Sequence, residues 1–186
     1  MLIALVGASG SGKSRIESEI ARLSNFEKLI SYTTRDPRPG EIDGIDYHFI
    51  SNEEFLKNQG NFAEFEEYSK NRFYGTLKNQ YKTNHDFIAV LTPHGVRQLK
   101  KSLPELKMFV VLVQAPLCDR VKRYVDRLGW KFNEADLEEL NARINRDWGM
   151  FRGFEDESDM IVNNPNGVSA EHIAISILSN LEDGRD

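Results

Sequence analysis

The residues that first suggest chemistry form a short run of glycine, serine and one lysine. The pattern G-x-x-x-x-G-K-[ST], typical of a loop that binds nucleotide phosphates, is matched by Gly7, Ala8, Ser9, Gly10, Ser11, Gly12, Lys13 and Ser14. In such a loop backbone N–H groups converge on the phosphates, the lysine reaches the outer phosphates and the last hydroxyl binds the Mg²⁺ that bridges them. The run predicts a bound nucleoside triphosphate with Mg²⁺ on Ser14, and it leaves the phosphoryl acceptor open.

The surrounding sequence supplies the elements that such a loop requires. The apolar run 2–6 before it predicts a buried strand, and residues 15–23 after it predict a helix with Ile16, Ile20 and Leu23 on one face. The positive end of this helix would point at the phosphates. The order of strand, loop and helix disfavours the alternative, a chance Gly/Ser turn.

Composition indicates a globular protein of one domain. The chain has 186 residues, of which 40% are hydrophobic and 28% are charged, and no apolar stretch is long enough to span a membrane. The net charge of −5 argues against a general nucleic-acid-binding surface. Cys118 is the single cysteine and cannot form an internal disulfide, and the first predicted strand begins at residue 2, without room for a leader peptide. We therefore expect a cytoplasmic protein; a monomer and a homo-oligomer are both compatible with the sequence.

Strand-like and helix-like patterns alternate along most of the chain. Further apolar runs lie at residues 28–32, 87–91 and 107–113, and helical patterns lie at 93–101, 116–128 and 168–181. This alternation predicts an α/β fold in which a mainly parallel sheet lies between two layers of helices. Ligands of such sheets bind at the carboxyl ends of the strands, here near Ser31, Thr92 and Gln114 as well as the loop.

Residues 31–81 break the alternation. Turn signals at 36–40 and 43–44 precede short strand-like runs at 47–50, 62–67 and 72–74, and Ser51 to Glu54 has the spacing of a helix cap. The segment predicts a small inserted lobe that is mostly β. Within it, Arg35 and Arg38 lie three residues apart on a turn, where with Tyr47 they can grip a dianionic monophosphate.

A second irregular region begins after Leu128. Residues 129–134 interrupt two helical patterns; Arg123 and Arg127 lie one turn apart before the interruption, and Arg143 and Arg146 share a face after it. This arrangement predicts a helical flap that carries arginines. The alternative for these arginines is surface ion pairing with aspartates on the same helices, namely Asp119, Asp126 and Asp147.

Four blocks, in this order and at this spacing, resemble the guanylate kinase family: residues 7–14, 31–41 (SYTTRDPRPGE), 44–49 (GIDYHF) and 73–76 (FYGT). Weaker similarity continues to the run at 161–164, so the resemblance covers almost the whole chain. It implies reversible transfer of the ATP γ-phosphate to GMP or dGMP by a single domain, residues 1–186. That domain would comprise a core (1–31 and 82–186), a lobe that binds the nucleoside monophosphate (about 32–81) and a lid (about 123–146).

The resemblance also implies roles for individual residues. ATP binding would fall to the loop at 7–14, Arg127 and Asn163, and the catalytic residues would be Lys13, Arg35, Arg123 and Arg143. GMP binding would fall to Ser31, Arg35, Arg38, Tyr47, Glu64, Tyr74, Gly75, Thr76 and Thr92. Within that set Glu64 would accept the N–H donors of guanine, while Ser31 and Thr76 would face O6 and N7. We expect the neighbouring Glu66 and Glu67 to be solvated strand residues.

Residues 90–95 depart from the family pattern. They read Val-Leu-Thr-Pro-His-Gly where the family usually has D-x-D-x-Q-G, so two carboxylates that serve the metal environment and the guanine amino group are absent. Loss of one charged hydrogen bond to guanine weakens base selection by about 1.5–3 kcal/mol, although Thr92 still offers a hydroxyl. We therefore expect a divergent guanylate kinase with a reduced rate or a broadened base choice.

Two alternatives remain at this point. One is a kinase with a relaxed or different nucleoside monophosphate acceptor. The other is a non-catalytic guanylate-kinase-like module that binds proteins, although such modules usually lose the phosphate loop that this chain retains.

Overall fold

The computed structural model describes residues 1–38, 40–82 and 84–183; Pro39 of the predicted turn and the last three residues lie outside this range. The strands are β1 (Leu2–Val6), β2 (Glu27–Lys28), β3 (Tyr32–Thr33), β4 (His48–Phe49), β5 (Phe62–Ser69), β6 (Arg72–Leu77), β7 (Phe87–Leu91), β8 (Met108–Gln114) and β9 (Met160–Asn163). The α-helices are α1 (Lys13–Leu23), α2 (Asn52–Lys57), α3 (Pro93–Ser102), α4 (Leu117–Leu128), α5 (Glu134–Phe151) and α6 (Ala170–Asp183).

A parallel sheet in the order β2-β7-β1-β8-β9 forms the centre of the molecule. Every residue of β1 is buried because helices cover both faces of the sheet. Side chains alternate along β1, so Leu2 and Ala4 join a cluster with Val96 of α3, while Ile3 joins the opposite cluster with Ile16 of α1. The predicted three-layer α/β fold is confirmed.

The predicted β-rich lobe contains a second sheet in the order β4-β3-β6-β5. Strands β5 and β6 form an antiparallel hairpin, and β3 pairs antiparallel with β6. The rings of Phe55 and Phe62 stack 4.3 Å apart, and those of Phe55 and Phe73 lie 5.1 Å apart, so the predicted short helix α2 anchors the sheet. The Ser51 hydroxyl caps that helix as predicted, accepting the Glu54 N–H at 3.1 Å.

The single strand expected at residues 28–32 is wrong. Its first part, β2, pairs with β7, and the Leu29 N–H still donates to the Ile88 carbonyl at 2.9 Å. Two residues later the Ser31 carbonyl accepts the His48 N–H of the other sheet at 2.9 Å. The chain therefore passes from one sheet to the other within one apolar run, because its backbone groups change hydrogen-bonding partners at Ile30 and Ser31.

Strand β9 is a further difference from the sequence predictions. Strand β9 adds an edge to the parallel sheet beside β8. After the turn at Gly129, which has φ of 57°, the Asn133 side chain caps α5 by accepting the Ala135 N–H at 2.9 Å. Helix α5 then continues to Phe151. Among the described residues no helix is long and apolar enough to cross a membrane.

Candidate active site

The phosphate loop lies between β1 and α1, as its pattern predicts. Gly10 and Gly12 adopt φ values of 78° and 94°, a backbone conformation that favours glycine. A Cβ on Gly12 would lie 2.2 Å from Nδ2 of Asn164, and that Nδ2 donates to the Ser11 carbonyl at 2.7 Å. The loop is therefore held from outside by the residue that follows β9.

Lys13 is positioned by the loop itself. Its Nζ donates to the carbonyls of Gly7 and Ala8 at 2.6 and 3.1 Å. Burial lowers the pKa of Lys13 to about 8, although the nearby Asp147 carboxylate acts in the opposite direction. A phosphate bound beside Nζ would supply further negative charge and favour the protonated lysine.

A cavity of about 220 Å³ opens at the carboxyl ends of the central strands, between the phosphate loop, the second sheet and α5. The predicted site residues that line it are Gly7, Ser9, Gly10, Lys13, Ser14, Ser31, Arg35, Arg38, Tyr47, Glu64, Tyr74, Gly75, Thr92, Arg127 and Arg143. The predicted site residues that do not line it are Ala8, Ser11, Gly12, Thr76, Arg123 and Asn163. The structure thus brings most of a site predicted from widely separated segments into one cavity.

Arg35 is held firmly at one end of the cavity. Nη1 and Nη2 donate to the two carboxylate oxygens of Glu41 at 2.6 Å each, and Nε donates to the Tyr74 hydroxyl at 3.1 Å. Although burial lowers it, this hydrogen bonding raises the pKa of Arg35 above its usual value. Burial also raises the pKa of Tyr47 to about 12, and the Arg35 guanidinium lies 4.9 Å from the centre of the Tyr47 ring. One guanidinium and two tyrosine side chains are thus held together in an arrangement that can bind an anion, here called the anion grip.

Glu64 lies at the other end of the cavity within a chain of hydroxyl groups. The Thr76 hydroxyl donates to Glu64 Oε1 at 2.8 Å and lies 2.7 Å from the Tyr81 hydroxyl. Burial raises the pKa of Glu64 to about 7, although the bond from Thr76 opposes this. The structure places Thr76 behind Glu64 and off the cavity wall, where it supports the carboxylate. The sequence does not predict Tyr81 as a residue of the site.

Thr92 lies on the cavity wall at the start of α3. Its hydroxyl caps the helix by accepting the Gly95 N–H at 3.0 Å. A Cβ on Gly95 would lie 2.8 Å from Glu64 Oε2, so the glycine leaves room for that carboxylate.

Arginines of α4 and α5 converge with Arg38 over the cavity. Burial, and then the charges of Arg38 and Arg143, lower the pKa of Arg127. Arg143 donates to Glu139 one turn away, with Nε at 3.1 Å. The repulsion of Arg127 by the two neighbouring guanidiniums favours an anion between them. Of the aspartates offered as alternative partners, none pairs with Arg123, Arg127 or Arg143 among the described ion pairs.

Arg123 contacts the loop from the side. It donates to the Gly10 carbonyl at 3.1 Å and to the Asn164 carbonyl at 2.8 Å, so it holds loop and strand end together. Asn163 lies in a neighbouring groove, whereas Asn164 contacts the loop.

Arg120 and its pairing with Asp147 are not predicted from the sequence. Arg120 forms an ion pair with the buried Asp147 of α5 and donates to the Ser9 carbonyl at 2.8 Å. Asp147 in turn accepts the Ser9 N–H at 2.9 Å. Arg120 lies one turn before Arg123 on α4, a spacing that was readable from the sequence. The sequence does not show that its partner is Asp147, 27 residues away.

The expectation for Glu66 is wrong, whereas Glu67 is exposed as expected. Glu66 is half-buried and lines the cavity. It shares one face of β5 with Glu64, because side chains two apart in a strand point the same way.

Comparisons with known proteins place the chain among its relatives. The guanylate kinase family model matches residues 1–174. A guanylate kinase from Acinetobacter baylyi is 35% identical over 161 residues, which are 80% of this chain and 77% of that protein. One from Lactiplantibacillus plantarum is 29% identical over 187 aligned positions, with 96% of this chain and 87% of that protein covered. A crystal structure of guanylate kinase from Anaplasma phagocytophilum shares the fold, with a TM-score of 0.65 and 21% identity over 99% of this chain and 85% of that one. With a match that runs from the phosphate loop into the last helix, the chain belongs to the guanylate kinase family.

Proposed function

We propose that this protein transfers the γ-phosphoryl group of ATP to GMP or dGMP. The observation that carries the proposal is the shared cavity: a phosphate loop on one wall faces an anion grip and a buried carboxylate on the other. Two anionic ligands can therefore meet in one site. The family to which the chain belongs supports a phosphotransferase rather than a protein-binding module.

On the donor side, the loop amides and Lys13 bind the outer phosphates of ATP. Among the described residues no group of three or more His, Cys, Asp or Glu side chains could hold a metal by itself. Ser14 lines the cavity at the start of α1, which fits Mg²⁺, since this ion is usually held by few protein ligands together with substrate phosphates and water. The bound ion would neutralise charge that develops on the phosphates during transfer.

On the acceptor side, Arg35, Arg38 and Tyr74 bind the phosphate of GMP, with Tyr47 beside them. Of the five N–H groups of Arg35, four already donate to Tyr74, Asp36 and Glu41, so one remains for a ligand. Arg38 is less constrained: its Nη1 lies 3.9 Å from Glu41, and its side chain is 40% exposed. We infer that Arg35 is a fixed reference for the phosphate and that Arg38 moves to meet it.

Guanine is read by Glu64. Guanine N1 and N2 carry hydrogen-bond donors, and an ionised carboxylate accepts two of them at once. Glu64 Oε1 already accepts from Thr76, which fixes the orientation of the carboxylate before the base arrives. Ser31 and Thr92 lie on the same cavity wall and can contact the remaining edge of the base.

Phosphoryl transfer requires in-line placement and positive charge over the migrating group rather than covalent help from the protein. Lys13, Arg127 and Arg143 supply that charge from two sides of the cavity. Arg123 and the Arg120–Asp147 pair hold the loop in position, so we assign them a positioning role.

The test is a coupled assay with ATP and Mg²⁺ against GMP, dGMP, AMP, UMP, CMP and dTMP, with Lys13→Ala as the blank. We expect turnover of GMP and dGMP alone. Glu64→Ala should lower kcat/KM for guanine nucleotides at least tenfold, whereas Glu67→Gln, on the exposed face of β5, should leave it unchanged.

Turnover of several bases would indicate instead a relaxed monophosphate kinase. ATP binding without turnover of any acceptor would indicate a binding module and would refute the proposal.

A further inference from the structure

Glu66 lines the cavity but has no role so far in the fold or in the proposed chemistry. Its Oε2 is buried and has no hydrogen-bond partner within the described part of the chain. A buried acceptor without a donor is destabilising, so a ligand that donates a hydrogen bond there recovers free energy on binding. The position of Glu66 decides which part of a ligand that is.

The pairing of β5 with β6 places Glu66 between the two ends of the acceptor site. Glu64 lies opposite Thr76 at the base end, and Glu66 lies opposite Tyr74, whose hydroxyl accepts from Arg35 at the phosphate end. The Cα atoms of Glu64 and Glu66 are about 6.6 Å apart along the strand. Glu66 is therefore displaced along β5 from the base end towards the phosphate end.

In a nucleoside monophosphate the sugar lies between base and phosphate. Phosphate oxygens only accept hydrogen bonds and repel a carboxylate, whereas the 2′- and 3′-hydroxyls of ribose are donors that carboxylates bind well. Building on the proposed function, we propose that Glu66 binds the 2′-hydroxyl of the acceptor's ribose, which dGMP lacks, and makes the protein prefer GMP to dGMP.

Arg146 of α5 is a nearby cation that could bind Glu66 in place of the ribose. Its guanidinium lies 3.6 Å from the centre of the Tyr68 ring and donates to the Tyr68 carbonyl at 2.7 Å. Nε and Nη2 are buried and form no hydrogen bond with any described residue. The described ion pairs do not include one between Arg146 and Glu66. The rival role for Glu66 is therefore an ion pair with Arg146. Such a pair would affect the binding of GMP and dGMP equally.

The experiment measures dissociation constants by calorimetry, and kcat/KM, for GMP and dGMP. The variants are Glu66→Ala, Glu66→Gln and the matched control Glu67→Gln. We expect the wild type to favour GMP. Glu66→Ala should raise the dissociation constant for GMP about tenfold or more and change that for dGMP by less than about twofold. The reason is that the charged hydrogen bond from the 2′-hydroxyl is lost only with ribose. Glu66→Gln retains one acceptor oxygen and should lie between.

Each other outcome has a distinct meaning. Equal loss for GMP and dGMP in Glu66→Ala indicates the contact with Arg146 and overturns the ribose assignment. No change for either nucleotide also overturns it. In both cases the proposed kinase function stands, whereas a wild type that binds neither nucleotide refutes that function as well. Thermal melts of each variant show whether it is folded, and dGMP serves as an internal control for the integrity of the site.

Discussion

GMP binding should depend on pH through Glu64. Burial raises the pKa of this carboxyl group to about 7 in the free protein, within the working range of an assay. Guanine donates to the ionised carboxylate, so the protonated form must lose its proton before the base binds. The base is therefore expected to bind more tightly as pH rises through 7.

The magnitude follows from the fraction of Glu64 that is ionised. With a pKa of about 7, about one tenth is ionised at pH 6 and about nine tenths at pH 8. The dissociation constant for GMP should therefore be about tenfold larger at pH 6 than at pH 8. Near pH 7, binding should release roughly half a proton from this group.

Calorimetry in two buffers of different ionisation enthalpy measures both the affinity and the proton release. The phosphate of GMP titrates as well, with a second pKa near about 6. Glu64→Gln is the control, because it retains the phosphate contribution and removes that of the carboxyl group. An identical pH profile for wild type and Glu64→Gln would refute the reasoning, as would tighter wild-type binding at pH 6.

Three further predictions concern stability and the position of Glu64. Gly95→Ala should displace Glu64 Oε2, which lies 2.8 Å from the new Cβ, and weaken GMP binding about tenfold without changing ATP affinity; unchanged GMP affinity would contradict this. Glu64→Gln should raise the free energy of unfolding at pH 8 by up to about 3 kcal/mol, as measured by urea denaturation. The sign follows from the raised pKa: the folded state binds more protons than the unfolded state, so the stability present below pH 4.5 is lost as pH rises through 7. At pH 5 the increase in the free energy of unfolding caused by Glu64→Gln should fall below about 1 kcal/mol. Asp147→Asn leaves Arg120 without its buried partner and should cost about 3 kcal/mol in the same assay, whereas the exposed Asp126→Asn should cost little.

The departure at residues 90–95 has a structural counterpart in the cavity. Val90 and Thr92 line the wall where the family usually has carboxylates, and the acidic residues that line the same cavity are Glu64, Glu66 and Asp147. Two of these three carboxyl groups come from β5 and one from α5. The missing charge at the end of β7 is thus accompanied by carboxyl groups on other walls of the cavity.

The sequence by itself determined the features that depend on short-range order. The phosphate loop was predictable because glycines at 10 and 12 permit its backbone, and the preceding strand and following helix have their own periodicity. The cap at Ser51 was predictable for the same reason, since donor and acceptor lie three residues apart. The resemblance to the family also predicted that Arg35, Glu64 and Tyr74 lie in one site, and all three line the cavity.

Only the tertiary structure decided which groups meet across long separations. Asn164 holds Ser11 from 153 residues away, Asp147 holds Ser9 from 138 residues away, and the Ser31 carbonyl turns to a different sheet. Local pattern carries no information about such partners, because a side chain's burial and hydrogen bonds depend on what the fold brings beside it. Glu66 and Glu67 are adjacent and identical in the sequence, yet the pleat of β5 points Glu66 into a cavity and Glu67 into solvent.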